Sequence, residues 1–297
     1  MEVVVTGAKG FLGRHFVRAL EARGAYVVSF DVAEDADDWD ALRFFREDRQ
    51  AWDLVVHCAA VAPHRSAIDN RALAVGAGSL ELDAAMFQWA ARTRPGRVVY
   101  LSSCAAYPAV WQDPGSMVPL DEGLSCVDSP GTPSDTYGWV KLTGERLAAA
   151  YREQGGAVTV VRPFSGYGED QSPDFPFGAF RDRARARQDP FVVWGDGTQV
   201  RDWVHVDDVV GATLAAVDGG IDGPVNICTG VGTSMAELAA LFAVEAGYDP
   251  ALTFLADKPS GVAYRVGDPT LLNTFYTPRI SIEEGVRRAL EVADVAR

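Results

Sequence analysis

The sequence predicts an α/β fold, with a doubly wound parallel sheet followed by a smaller, mixed C-terminal region. Apolar strand-like runs alternate with helix-like segments through the first half of the chain, and this alternation is typical of parallel sheets covered by helices on both faces. A glycine-rich turn links the first run to the first helix. Beyond residue 165 the alternation loosens, so the C-terminal part is expected to be organised differently.

The elements can be placed in order along the chain. Short apolar runs predict strands over 2–6, 25–30, 53–58, 97–102 and 157–161, and helical periodicity predicts helices over 11–22, 69–93 and 137–154. Glycines, prolines and acidic residues without periodicity predict a loop over 165–180. The predicted elements after it are a helix over 208–217, a strand over 224–228 and helices over 234–246 and 281–294.

Composition and charge narrow the range of partners. The 297 residues carry a net charge of −14, which repels a phosphate backbone, so no nucleic acid partner is expected. A secretory leader and an apolar run of roughly 20 residues are both lacking, so no membrane is expected. The cysteines lack the close spacing of a zinc site and fit a reducing cytoplasm, so no metal is expected. They are Cys58, Cys104, Cys126 and Cys228.

The first candidate site is the turn Thr6-Gly7-Ala8-Lys9-Gly10-Phe11-Leu12-Gly13, between the first strand and the first helix. Glycines three apart allow a tight turn and close approach of backbone N–H groups to a pyrophosphate. Asp31 ends the second strand 21 residues beyond Gly10, where a carboxylate accepts hydrogen bonds from a ribose 2′-hydroxyl. Together these features predict a Rossmann-type dinucleotide site. Because a carboxylate repels a 2′-phosphate, NAD is favoured over NADP.

Tyr137 and Lys141 form a second candidate site. They are four residues apart and share one face of a predicted helix. A free phenol has a pKa near 10, but an adjacent ammonium and a cationic nicotinamide favour the phenolate. Tyr137 is therefore a candidate general base. The alternative is an exposed Tyr–Lys pair on a surface helix.

These two motifs resemble the short-chain dehydrogenase/reductase superfamily. The length and the tail resemble its extended branch, the NAD-dependent epimerase/dehydratase family, which acts on nucleotide sugars. Further segments that carry the resemblance are His57-Cys58-Ala59-Ala60, the run from Ser102 to Tyr107, the run from Arg162 to Gly168 and, most specifically, the run from Trp194 to Asp208. We therefore expect a NAD-binding Rossmann domain over 1–164, to which 198–217 return, and a mainly substrate-binding region over 165–297.

The resemblance implies roles for individual residues. Ser103, Tyr137 and Lys141 are expected to be catalytic. A homodimer is expected through the helices near 80–93 and 137–154, on which Trp89 and Trp139 lie. The residues expected to contact NAD are Gly7, Gly10, Phe11, Leu12, Gly13, Asp31, Ala59, Ala60, Tyr137, Lys141 and Pro163. The residues expected to bind a nucleotide-diphosphate sugar are Ser103, Ser165, Arg201, Arg265 and Asp268.

The activity implied is epimerisation of a nucleotide sugar, most simply at carbon 4, through a transient keto-sugar and bound NAD. Elimination of water is disfavoured, because Cys104 and Ala105 stand where related dehydratases carry an Asp-Glu pair. One alternative is an NAD(P)H-dependent keto-sugar reductase, or a 3,5-epimerase/reductase. Another is a non-catalytic NAD-binding sensor, against which the intact Ser103, Tyr137 and Lys141 argue.

The sequence also departs from the family pattern. Asparagine is usual where Ser165 and Val75 stand. The segment between residues 31 and 53 is short, so the usual third strand is expected to be reduced or missing. Cys104 is expected to be a buried thiol, and His57 and His205 to be structural. Four arginines are expected to be solvated, namely Arg181, Arg183, Arg185 and Arg187.

Overall fold

A six-stranded parallel sheet lies at the centre of the protein, in a computed structural model that describes residues 1–31, 40–61, 71–125 and 131–291. Cys126 lies outside the described residues. The spatial order of the strands is β2-β1-β3-β4-β5-β9. These strands are β1 (Glu2–Thr6), β2 (Tyr26–Phe30), β3 (Leu54–His57), β4 (Arg97–Leu101), β5 (Val158–Pro163) and β9 (Val225–Ile227).

Helices cover both faces of this sheet, as the alternating pattern predicted. Successive residues of β1 point to opposite faces, so that Val3 and Val5 join one core cluster and Val4 joins the other. The first cluster includes side chains of α1 (Phe11–Ala22) and α6 (Val206–Asp218). The second includes side chains of α2 (Ala41–Glu47), α3 (Ala72–Thr93) and α4 (Thr136–Glu153). The predicted doubly wound parallel sheet is confirmed.

The strand order places a crevice at the carboxyl ends of β1 and β3. β1 pairs with β2 on one side and with β3 on the other, so the order of the strands reverses there. Ligands of open α/β sheets bind outside the carboxyl ends of the strands at such a reversal. Thr6 ends β1 and His57 ends β3. Within the described residues, β2 borders the sheet.

Smaller sheets follow in the C-terminal region. β8 (Val200–His205) lies at the centre of one of them and pairs with β6 (Ser165–Tyr167), β10 (Gly232–Ser234) and β12 (Tyr264–Arg265). β7 (Phe191–Trp194) and β11 (Leu252–Leu255) form a parallel pair. A third apolar cluster joins them to α5 (Pro176–Arg185), α7 (Met235–Glu245) and α8 (Ile282–Glu291).

The prediction of a loop over 165–180 is wrong. The segment contains β6 and the first half of α5, which begins with Pro176 at its first position, where the missing proline N–H costs nothing. Phe177, Phe180 and Ala184 recur at helical spacing and are buried. The prediction that Arg181 is solvated is also wrong. It shares their face, and its guanidinium donates hydrogen bonds to the carbonyl oxygens of Glu169 and Gln171.

None of the helices in residues 1–31, 40–61, 71–125 and 131–291 is long and apolar enough to cross a membrane.

Candidate active site

The glycine turn after β1 forms a cradle with little room for side chains. Gly7 has a φ of +68°, and a Cβ placed on it would lie 2.7 Å from the Ala59 nitrogen. The turn therefore packs directly against the chain that leaves β3. The Gly10 N–H donates to the Gly7 carbonyl oxygen at 3.0 Å. No side chain caps α1 at Gly10, so the helix N-terminus has no side-chain acceptor there and could bind an anion.

Asp31 stands beside this turn, at the end of β2. Its carboxylate accepts a hydrogen bond from the Lys9 N–H at 2.6 Å, which fixes its position relative to the glycines. The turn thus offers a helix N-terminus for a pyrophosphate and a carboxylate for a ribose. Ala59 and Ala60 follow β3, and Pro163 ends β5 on the same edge of the sheet. The residues present fit NAD.

Ser103 and Tyr137 come from neighbouring elements. Ser103 follows β4 and caps a short 3₁₀ turn, where its Oγ accepts a hydrogen bond from the Ala105 N–H at 3.1 Å. The Ser103 hydroxyl proton is therefore directed away from this bond. Tyr137 lies in the first turn of α4, which Asp135 caps by accepting from the Gly138 N–H at 2.9 Å. A Cβ at Gly138 would overlap the Ala105 carbonyl oxygen, so α4 packs closely against the serine turn.

Lys141 lies one turn further along α4 and is almost fully buried. Its Nζ is 5.6 Å from the centre of the Tyr137 ring and 5.3 Å from the centre of the Tyr100 ring. The alternative of an exposed Tyr–Lys pair on a surface helix is therefore wrong. The buried ammonium faces the phenol that it was predicted to activate.

Opposing electrostatic effects act on the pKa of Tyr137. The surrounding protein desolvates the phenol and raises its pKa, the Lys141 ammonium lowers it, and Cys104 and Asp83 raise it. The net pKa lies above the usual value, so Lys141 offsets the desolvation only in part. Deprotonation of Tyr137 therefore calls for positive charge beyond that of Lys141.

A buried polar network lies next to the site and links β4, α4 and β5. The sequence did not predict it. Arg162 of β5 donates to Glu145 of α4 through Nε at 2.8 Å and Nη2 at 2.7 Å. Glu145 also accepts from the Ser102 hydroxyl. Arg162 further donates to the Ser125 carbonyl oxygen at 2.6 Å. Ser102, the residue before Ser103, is thus held to α4 and β5 together. The only signal in the sequence was a charged residue within an apolar strand.

Arg201 and Arg265 lie next to each other on paired strands. β8 and β12 run parallel, and Arg265 is the partner of Arg201 in their register. Arg201 donates to the Ser260 carbonyl oxygen at 3.1 Å, and Arg265 donates to Gln112 Oε1. Like charges at directly opposite strand positions repel each other, and an anion bound between them would relieve the repulsion. The structure therefore places together two arginines that are 64 positions apart in the sequence.

The other predicted site residues lie around this centre. Ser165 lies on β6, next to β8, and its partner in the register of the two strands is Trp203 of β8. Asp268 follows β12, and its N–H donates to the Leu120 carbonyl oxygen at 3.0 Å. Cys104 is buried, as predicted. His57 bonds Thr6 and Asp83, and His205 caps α6, so both have structural hydrogen bonds. In the described part of the chain, no three His, Cys, Asp or Glu side chains are grouped so as to hold a metal ion.

Comparisons with known proteins agree with this geometry. The dTDP-4-dehydro-6-deoxy-D-allose reductase of a Streptomyces species is 29% identical over 90% of this chain and 87% of its own. A putative UDP-glucose 4-epimerase of Methanocaldococcus jannaschii is 28% identical over 97% of each chain. The crystal structure of the Thermus thermophilus UDP-glucose 4-epimerase in complex with NAD superposes with a TM-score of 0.78, at 25% identity and over 98% of each chain.

The family model that matches this chain covers most of its length. The model of the NAD dependent epimerase/dehydratase family matches residues 3–228, a range that contains the glycine turn, Ser103, Tyr137, Lys141 and Arg201. The chain belongs to the NAD dependent epimerase/dehydratase family.

Proposed function

We propose that this protein is a NAD-dependent nucleotide-sugar epimerase, which inverts carbon 4 through a transient keto-sugar. The observation that carries the proposal is the set of residues at the active-site floor, which we define as 103–105 together with Tyr137 and Lys141. Lys141 is buried beside the half-buried Tyr137, and the two positions after Ser103 are the buried Cys104 and Ala105. The floor can therefore move a proton at one sugar oxygen. At the two positions after Ser103, it lacks the carboxylates that elimination of water would require.

Each residue has a distinct task in this mechanism. When bound, NAD supplies an acceptor that takes up a hydride and returns it. Tyr137 Oη removes the proton from the 4-hydroxyl and later gives it back. Ser103 donates a hydrogen bond to the same oxygen and stabilises the charge that develops there. Lys141 binds the nicotinamide ribose and opposes the desolvation of the Tyr137 phenol.

The cofactor is held by the residues of the crevice. The glycine turn, with Gly7, Gly10, Phe11, Leu12 and Gly13, would receive the pyrophosphate, and Asp31 would receive the adenosine ribose. Ala59, Ala60 and Pro163 would line the remaining wall. The carboxylate of Asp31 supports NAD over NADP, because it would repel a 2′-phosphate.

The substrate is proposed to be a nucleotide-diphosphate sugar. The pairing of Arg201 with Arg265 supports a diphosphate between them, since both carry positive charge on a chain whose net charge is −14. Ser165 and Asp268 would bind the remainder of the substrate. In this arrangement 1–164, with 198–217, would hold NAD, and 165–297 would mainly hold substrate.

A keto-sugar reductase is the second candidate. It is favoured by one observation, the 29% identity to a dTDP-4-dehydro-6-deoxy-D-allose reductase. The same proton chemistry at Tyr137 serves both reactions. They differ in whether the reduced cofactor stays bound and is recycled or is consumed.

One experiment separates the two candidates. The purified protein is denatured and the released dinucleotide is identified. The native protein is then incubated with UDP-, GDP- and dTDP-sugars, without added cofactor, and the sugars are followed by NMR. Formation of the 4-epimer with bound NAD is the expected result. Turnover of a keto-sugar only with stoichiometric NADPH would replace the epimerase with the reductase.

Two further features of the molecule remain proposals. A homodimer is proposed through α3 and α4, which pack side by side and carry the exposed Leu80 and Trp139. A cytoplasmic location is proposed because the described cysteines, Cys58, Cys104 and Cys228, are free thiols.

A further inference from the structure

A carboxylate with no task in the proposed mechanism lies beneath the catalytic pair. Asp83, on α3, is fully buried, and its oxygens accept hydrogen bonds from the Tyr100 hydroxyl at 2.6 Å and from His57 Nε2 at 3.2 Å. A buried carboxylate is costly unless it is both hydrogen-bonded and compensated in charge. His57 and the Tyr100 phenol supply the hydrogen bonds. A cation is therefore needed as well.

Lys141 contributes positive charge to the surroundings of Asp83. Its Nζ lies 5.3 Å from the centre of the Tyr100 ring, and the hydroxyl of that ring is bonded to Asp83. Burial alone would raise the pKa of Asp83. The hydrogen bond from His57, the charges of Lys141 and His57, and the hydrogen bond from Tyr100 together hold the pKa below its usual value. The two opposite charges thus act on each other across Tyr100.

Other charged groups near Lys141 are already committed. Glu145 lies one turn further along α4, but both of its oxygens are bonded to Arg162. Burial raises the pKa of the Cys58 thiol far above its usual value, so this thiol is neutral. Within the described residues, the titratable groups that face Asp83 are His57 from β3, Tyr100 from β4, and Lys141 and Tyr137 from α4.

We propose that Asp83 is a positioning residue that supplies the counter-charge of Lys141 and thereby sets the charge balance around Tyr137. The same carboxylate reaches the cofactor turn, because His57 Nδ1 is bonded to the hydroxyl of Thr6 at 2.8 Å. Asp83 therefore links α3 to β3 and β4, near the part of α4 that carries Lys141. The electrostatic coupling of Asp83 to Lys141 can be tested without a substrate. The effect of Asp83 on turnover rests on the proposed function.

A double-mutant cycle tests the electrostatic coupling. The melting temperature is measured, with saturating NAD, for the wild type, Asp83→Asn, Lys141→Met and the double variant. Removal of Asp83 alone leaves a buried ammonium without its counter-charge, so the double variant should lose less than the sum of the two single losses. If Asp83→Asn alone yields no folded protein, the double variant should restore it. Additive losses, or a double variant that also fails to fold, would overturn the proposal.

The pH profile of kcat/KM provides a second readout, which a merely structural role would not move. Asp83 is one of the groups that raise the pKa of Tyr137, so Asp83→Asn should lower that pKa. The acid limb, on which Tyr137 gains its proton, should therefore move to lower pH by about half to one unit. A limb that stays in place would overturn the proposal.

Asp208 offers a matched control. It is equally buried and also accepts a hydrogen bond from a tyrosine, Tyr276, at 2.8 Å, but it lies on α6. Asp208→Asn should lower the melting temperature without moving the acid limb. An equal displacement in this control would contradict a specific role for Asp83. A wild type that converts no nucleotide sugar would refute the proposed function, and the cycle would still decide whether Asp83 and Lys141 are coupled.

Discussion

At the residue scale, the proposed reaction depends on the hydroxyl group of Tyr137. Tyr137→Phe removes this hydroxyl and keeps the ring that packs near Lys141. Since a positioned general base contributes roughly 10²- to 10⁴-fold, kcat should fall by about that factor. The NAD content of the purified protein should not change. Turnover is measured by NMR of the sugar, and bound NAD by release on denaturation.

Tyr151 provides the control for this substitution. It lies on the same helix, is buried, and packs against Phe87 in the core rather than at the crevice. Tyr151→Phe should retain activity near that of the wild type. If Tyr137→Phe were as active as Tyr151→Phe, a catalytic role for Tyr137 would be ruled out, and the sensor would become the better explanation.

Residues that act through local spacing could be predicted, and residues that act through tertiary contact could not. Tyr137 and Lys141 are one helical turn apart, so their shared face follows from the sequence alone. Asp83 has partners on β3 and β4, at positions 57 and 100. Within its own helix it resembles any acidic residue of a surface helix. Its burial became visible only when the strands were placed beside it.

At the element scale, a buried ion pair between Arg162 and Glu145 joins β5 to α4. Arg162→Leu would leave the Glu145 carboxylate, which is only 4% exposed, with the Ser102 hydroxyl but without its cationic partner. Breaking a buried pair from one side costs about 3–5 kcal/mol. The free energy of unfolding, measured by urea denaturation, should fall by that amount. The activity should fall as well, because the network also holds Ser102.

An ion pair on the surface of the same helix calibrates this loss. Arg146 and Glu153 are 3.3 Å apart, and both side chains are more than half exposed. Arg146→Ala should change the free energy of unfolding by less than ~1 kcal/mol, since water already screens the pair. Equal losses in Arg162→Leu and Arg146→Ala would contradict the assignment of Arg162 as a structural anchor of the site.

Most elements were predictable because their patterns are periodic. The strands of the central sheet are short apolar runs, and α1 and α8 show clear amphipathic faces. α5 was missed because the segment before it is rich in prolines and acidic residues. Pro176 itself marked a helix start, since proline is favoured at the first helical position. The burial of Arg181 depends on carbonyl oxygens of the preceding loop, which no periodicity reveals.

At the scale of the whole molecule, Arg201 and Arg265 bring two positive charges to neighbouring strands of an acidic protein. The net charge is −14, so an anionic substrate is repelled everywhere except where cations are concentrated. Arg201→Ala and Arg265→Ala should each weaken binding of a nucleoside diphosphate by about 1.5–3 kcal/mol, or roughly 10- to 150-fold. Calorimetric titration with UDP, GDP and dTDP measures the change. Arg146→Ala, with its exposed guanidinium, should bind as the wild type does.

The last prediction concerns assembly through α3 and α4. Leu80 and Trp139 lie on these adjoining helices and are 37% and 45% exposed, and an apolar pair on two packed helices would be covered in a homodimer. A Leu80→Lys, Trp139→Lys double variant should be a monomer by light scattering, whereas the wild type should have twice the chain mass. Trp194 is also 45% exposed, but it lies on β7. Trp194→Lys should leave the dimer intact. A monomeric wild type, or a dimer that survives both lysines, would exclude this surface as the interface.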